Sequence, residues 1–135
     1  MTNQEILNSL IGKTITKIEG LNVNSEVVKF AFTHDCIQLE MYHNRDCCEY
    51  VEIIDIVGDI NDLIGTPLLK AEEIISDEDN PEETKHLHCY VDDSTTWTFY
   101  KFATIKGYVD IRWLGTSNGY YSESVDLKIK KREYI

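Results

Sequence analysis

The chain has 135 residues, 42% of them hydrophobic and 27% charged, with eight Tyr, four Phe and two Trp. That length and aromatic content allow a real core without metals or disulfides and exclude extensive disorder. The net charge of −11 excludes a general phosphate-binding surface, which needs clustered Lys and Arg, and no apolar run approaches the ~20 residues of a membrane span.

The charge is uneven. Lys128, Lys130, Lys131 and Arg132 lie near the end, so residues 1–127 hold nine basic against 23 acidic side chains, a net of −14. The acids are scattered rather than spaced like phosphates, which reads as solubility rather than mimicry of nucleic acid. Met1–Glu5 has no basic region before an apolar stretch, so no signal peptide is expected. Cys36, Cys47, Cys48 and Cys89 are then expected to be reduced thiols in a cytoplasm.

In chain order, Ile6, Leu7, Leu10 and Ile11 have helical spacing over residues 3–11, with Gly12 as a stop. Strands are predicted at Thr14–Ile18, Val27–Phe32 and Cys36–His43, the last placing Ile37, Leu39, Met41 and His43 on one face. Tyr50–Val57 is a further strand. Asp59 is a plausible N-cap for one helical turn before Gly65. Leu68–Ile75 fits a strand, with helix left open. Residues 76–85 form an acidic surface loop containing Pro81. Strands resume at Thr95–Thr104, Tyr108–Leu114 and Tyr120–Ile129, joined by Ile105–Gly107 and Gly115–Gly119, both of hairpin length. Residues 128–135 read as a basic tail. The pattern implies one α+β domain over residues 1–135. It would be a single antiparallel β-sheet meander of about five to eight strands, with an N-terminal helix and one short helical turn.

Three clusters could carry chemistry. His43-Asn44-Arg45-Asp46-Cys47-Cys48-Glu49 sits between two strands, where sites are commonly built. It can be a loop ordered by its own hydrogen bonds, a ligand site, or a metal site. Adjacent cysteines lack the spacing of a zinc knuckle, and a Cys47–Cys48 disulfide is not expected in a reducing compartment. Adjacent side chains point to opposite sides of extended chain, so one of the pair is expected in the core. His86 and His88 would share a strand face, which suits a metal or two solvated side chains flanking the acidic loop. In the last third, aromatics fall on both faces of Thr96–Thr104, either from two-sided burial or as a platform with Arg112 and Asn118 for a planar ligand. Tyr121, Glu123, Val125, Leu127 and Ile129 share a face, so Glu123 needs a partner.

Tyr42-His43-Asn44-x-Asp46-Cys47-Cys48-Glu49, Asp55–Asp59 with Asp62–Gly65, and the run from Thr96 to Glu123 together resemble an uncharacterised family of small proteins. Its members are encoded by tailed bacteriophages and by Gram-positive bacteria that carry prophages. The resemblance spans roughly residues 38–76 and 94–126. Its specific parts are Asp-Cys-Cys-Glu and Ser-Asn-Gly-Tyr-Tyr-Ser-Glu. Arg45 stands where the family more often has Gln, and the basic tail, His86 and His88 are not family features. The resemblance implies a viral or prophage accessory protein; such proteins often sequester a nucleotide signal or cap a host protein.

The expected function is binding. No complete nucleophile–base–orienter set and no phosphate-cradling Gly-rich loop is present. The expected surface lies where His43, Asn44, Asp46, Cys48 and Glu49 meet Asn118, Tyr120, Ser122 and Glu123. Arg112 would stand beside Ser122 in the obvious hairpin register. Candidate partners are a small polar, nucleotide-like ligand or a basic host protein, with no cofactor, metal, nucleic acid or membrane expected. An enzyme using His43 with Cys47 or Cys48, and a purely structural protein, are the alternatives.

Overall fold

The computed structural model describes residues 2–33, 36–76, 94–119 and 121–131. The acidic loop beyond Ser76, His86, His88, Cys89, Tyr120 and Arg132 lie outside the described residues.

The first element is a short helix, α1 (Asn3–Asn8). Its cap is Thr2, whose hydroxyl accepts the Glu5 N–H at 3.1 Å, the Thr-x-x-Glu order of a capping box. The chain leaves the helical path by Gly12, at φ +87°, and Leu7 and Leu10 are fully buried.

Eight strands follow among the described residues: β1 (Ile15–Glu19), β2 (Val28–Phe32), β3 (Ile37–Tyr42), β4 (Tyr50–Val57), β5 (Lys70–Ser76), β6 (Ser94–Thr104), β7 (Gly107–Ser117) and β8 (Asp126–Lys131). The Leu68–Ile75 ambiguity resolves as strand β5. A 3-10 turn at Ile60–Leu63 separates β4 from β5. Asp59 caps it as its position predicts, accepting from the Asn61 N–H at 3.0 Å.

The expected single sheet is corrected to two. Both are four-stranded and antiparallel, in the orders β1-β2-β3-β8 and β4-β7-β6-β5. They share one core. Phe30, Phe32, Leu39 and Met41 come from the first sheet, and Ile53, Tyr100, Phe102, Ile111 and Trp113 from the second. The Phe30 and Phe102 rings meet at 5.5 Å across the interface. Each sheet buries one face against the other, and in β3 that face carries Ile37, Leu39 and Met41; Glu40 on the opposite face is buried as well.

The split comes at the end of β7. The β6–β7 hairpin forms as expected, with Thr104 opposite Gly107. The next link does not make a hairpin. Strand β7 runs on to Ser117, and the chain crosses to the other sheet, where Leu127 lies opposite Met41 and Lys128 opposite Glu40. Burial of Val125 and Leu127 against the shared core overrides loop length as the determinant. Two further expectations change with it. Arg112 lies opposite Phe99 and Asp55 rather than Ser122. Lys128, Lys130 and Lys131 are residues of β8 rather than a tail, and the first two reach Glu40 at 3.4 and 3.3 Å.

The outer edges of the second sheet are covered locally. Ile53 of β4 exchanges backbone hydrogen bonds with Ser25 and Asn24, at 2.9 and 2.7 Å. On β5 the Gln4 side chain serves: its Nε2 donates to the Ala71 carbonyl at 3.0 Å, and its Oε1 accepts the Glu73 N–H at 2.9 Å. No helix among the described residues is long and apolar enough to cross a membrane.

Candidate functional site

The 43–49 loop links β3 to β4, and the chain from Asn118 to Val125 links β7 to β8. Tyr50 lies opposite Thr116, so the residues just before Tyr50 and just after Ser117 stand at the same end of the second sheet. The two segments also touch directly. His43 Nδ1 donates to the Ser124 carbonyl at 2.7 Å, and the Asn44 N–H donates to Asp126 Oδ2 at 3.0 Å.

Glu49 organises the loop from within. Its Oε2 accepts from the Asp46 N–H and from His43 Nε2, each at 2.9 Å, and its Oε1 accepts from the Cys47 N–H at 2.9 Å. The residue is 1% exposed. The Asp46 N–H bond holds the Glu49 carboxyl down at about 2 against the opposing push of burial, and the His43 and Cys47 bonds add to it. The His43 side chain is only 6% exposed. Both its ring nitrogens are engaged by oxygens, so neither faces a cysteine sulfur.

Glu123 is the other carboxylate buried at this end of the molecule, at 7% exposure. It finds the partner its apolar face demands: Thr96 of β6 donates to Oε1 at 2.8 Å, and Ser117 donates to Oε2. Ser117 also accepts the Gly119 N–H at 2.9 Å. Gly115 allows the close approach. A Cβ there would overlap the Glu123 carbonyl oxygen and sit 2.7 Å from Glu123 Cβ.

Outside these anchors lies an exposed rim: Asn44, Arg45, Asp46, Cys47, Cys48, Asn118 and Ser122. The Arg45 guanidinium stacks over the half-exposed Tyr50 ring at 4.9 Å, and Arg45 Nε donates to the Cys47 carbonyl at 3.0 Å. Ser122 and Ser124 share a hydroxyl hydrogen bond at 2.8 Å.

Two expectations about the cysteines are corrected. Cys47 and Cys48 are joined in a disulfide, and both are exposed. The chain bends at these residues instead of running extended, so the two side chains do not diverge to opposite faces. Arg112 is remote from the rim, mid-strand in β7, with its guanidinium 4.9 Å from the Trp97 ring centroid. The structure therefore brings together His43, Asn44, Asp46, Cys48, Glu49, Asn118, Ser122 and Glu123 at one end of the molecule. It leaves Arg112 out, and Tyr120 lies outside the described residues.

Sequence reasoning missed Tyr50, Thr96, Ser117 and Ser124. The first was read only as the start of a strand. Thr96 and Ser117 act through positions set by the strand register, and Ser124 through its backbone carbonyl in the link before β8. It also missed a depression of about 420 Å³ between α1 and β5, bordered by Gln4, Asn8, Ile11 and Leu69. Among the described residues, no three or more His, Cys, Asp and Glu side chains are grouped to hold a metal ion.

No curated protein and no solved structure matches the chain. A family model described as a domain of unknown function, DUF7448, matches residues 8–127, which contain Glu49, Glu123 and the rim residues. The chain belongs to the DUF7448 family.

Proposed function

We propose that this is a small bacteriophage or prophage accessory protein of the host cytoplasm that works by binding, through the rim formed by residues 44–48 with Asn118 and Ser122. The observation that carries the reading is the internal use of the chemistry-bearing groups. His43 and Glu49 hold each other and the loop backbone, and Glu123 is held by two hydroxyls. What faces outward is planar and polar: Arg45 on Tyr50, with the Asn118 amide and the Ser122 hydroxyl nearby in the fold. Such a surface suits a planar polar ligand of nucleobase type, which stacks on a guanidinium or phenol ring and takes hydrogen bonds at its edge. The cysteine–histidine enzyme loses support, because a base must reach the thiol and His43 is turned elsewhere.

A thermal-shift screen of nucleotides and free nucleobases tests the reading. A ligand that binds only the folded chain adds about 2.7 kcal/mol at one hundred times its Kd. The resulting rise in midpoint should vanish in Arg45→Ala and Tyr50→Ala. No rise with any compound, or a rise that survives both substitutions, removes the nucleobase reading. The charge of −11 favours a basic protein surface as the second reading. Salt-sensitive association with a basic protein, lost on reversing Asp46 to Lys, would select it. Fast alkylation of a cysteine in the reduced protein near neutral pH would instead revive the enzyme.

A further inference from the structure

We propose that Cys47 and Cys48 form a reversible thiol–disulfide exchange site, served by a low-molecular-weight or protein dithiol couple, whose state sets the position of Arg45 on the rim. A disulfide between neighbouring residues closes a small ring that contains their own peptide bond. That peptide unit lies between two hydrogen bonds of the loop. The Cys47 N–H, in the peptide just before the ring, donates to Glu49 Oε1 at 2.9 Å. The Cys47 carbonyl, which belongs to the peptide inside the ring, accepts from Arg45 Nε at 3.0 Å. Arg45 in turn stacks over Tyr50 at 4.9 Å. One carbonyl therefore connects the ring to the most prominent planar group of the rim. While the ring is closed, this peptide cannot turn independently of the two sulfurs. Once it opens, the carbonyl can rotate away from Arg45, and the guanidinium loses the bond that steers it over Tyr50. The Glu49 bonds to Asp46 and Cys47 use backbone N–H groups, so the loop keeps its anchor when the ring opens.

The chemistry balances with a dithiol. A thiolate of the reductant attacks one ring sulfur, the S–S bond breaks, and the other cysteine leaves as a thiolate that takes up a proton. The reductant's second thiolate then displaces the remaining mixed disulfide. The protein gains two electrons and two protons as two thiols, and the reductant leaves as its disulfide. A low-molecular-weight disulfide runs the sequence backward. Both residues are exposed, so the attacking thiolate has access, and the neighbouring thiol is placed to resolve a mixed disulfide before it accumulates.

Only the consequence for binding rests on the proposed function; the exchange needs no ligand. The test is made on the full chain labelled with nitrogen-15, as purified, after dithiothreitol, and after oxidised glutathione. Peptide mapping should show Cys47 and Cys48 protected from iodoacetamide until reduction. The peptide carrying them should gain about 2 Da on reduction and lose it again on oxidation. The Arg45 Nε and Cys47 amide resonances should shift with each change, while the Gly119 amide, held by Ser117 on the Glu123 side, stays in place. Cys48→Ser, which cannot close the ring, should give the reduced-type spectrum as purified and after dithiothreitol, and should retain a glutathione adduct on Cys47 after oxidised glutathione. The proposal is overturned if both cysteines alkylate without reductant and remain reactive after oxidised glutathione. It is also overturned by a persistent glutathione adduct on the native chain, or by a ring that opens and closes without moving Arg45 Nε. None of these outcomes touches the ligand screen, and a failed screen leaves the exchange standing.

Discussion

Two buried carboxylates stand at the same end of this molecule and are satisfied in opposite ways. Glu49 is gripped by two backbone N–H groups, donors that cannot reverse, and pairs besides with a ring nitrogen of His43. Glu123 is held by the hydroxyls of Thr96 and Ser117, each of which can donate or accept. The first arrangement demands a charged, acceptor-only group. The second demands only something polar of the right size. The residue that fixes the 43–49 loop is therefore chemically rigid, whereas the one that fixes the β7–β8 crossing is chemically tolerant.

Substitution should expose the contrast most strongly at Glu49. Glu49→Ala leaves three buried or half-buried donors without acceptors, and a fall in thermal midpoint on the order of 10 °C is expected. Differential scanning fluorimetry reads it directly. A loss no larger than that of an exposed control such as Glu5→Ala would show that the loop orders itself by other means. Next in size is Gly115→Ala, which presses a methyl group on the backbone and Cβ of Glu123. A cost of about 1–3 kcal/mol in urea unfolding is expected. The same change at the open Gly119 meets no neighbouring atom within 4 Å and differs only by its φ of +89°.

The amide substitutions sharpen the comparison. Glu123→Gln should cost about 1 kcal/mol or less, because one hydroxyl can turn to accept from the new NH₂. Glu49→Gln has no such escape: whichever oxygen becomes nitrogen must face a backbone N–H. Equal losses for the two would break the distinction. The smallest effect is in pH. The Glu49 carboxyl, ordinarily near 4.5, lies at about 2 in the folded chain. Its contribution is therefore complete above 4.5 and is lost as the pH falls through that window toward 2. Urea midpoints measured across the window should fall more steeply for the native chain than for Glu49→Gln.

The legible parts of the molecule were local. The apolar face of Ile37, Leu39 and Met41, the Asp59 cap and the requirement that Glu123 find a partner follow from side-chain period and the cost of burying charge, and each holds in the structure, although Glu40 on the opposite face of the same strand is buried too. The two-sheet split was not legible. It depends on Leu127 pairing with Met41, some eighty-six positions earlier, and no periodicity within either segment encodes that choice. Arg112 was misplaced for the same reason. Glu49 was visible as a member of a polar cluster, but its role depends on the bend that turns the Asp46 and Cys47 N–H groups back toward it. A bend built by three hydrogen bonds to one side chain leaves no repeating signature in sequence.

The Gln4 side chain has a consequence of another kind. An edge strand is a template: its unpaired N–H and C=O groups can recruit a strand from another molecule and begin a growing ladder. At Ala71 and Glu73 those two groups are already occupied by a primary amide, which has the same donor and acceptor as a peptide but no chain to continue. Gln4 thus ends the ladder the way a monofunctional reagent ends a polymer. Because it rides on α1, the stopper is only as secure as the docking of a six-residue helix, held by Leu7 in the core and by Asn3 on Glu73 and Val125. Conditions that fray that helix would uncork the edge before the core is disturbed, so the first symptom of stress in this protein should be self-association rather than unfolding.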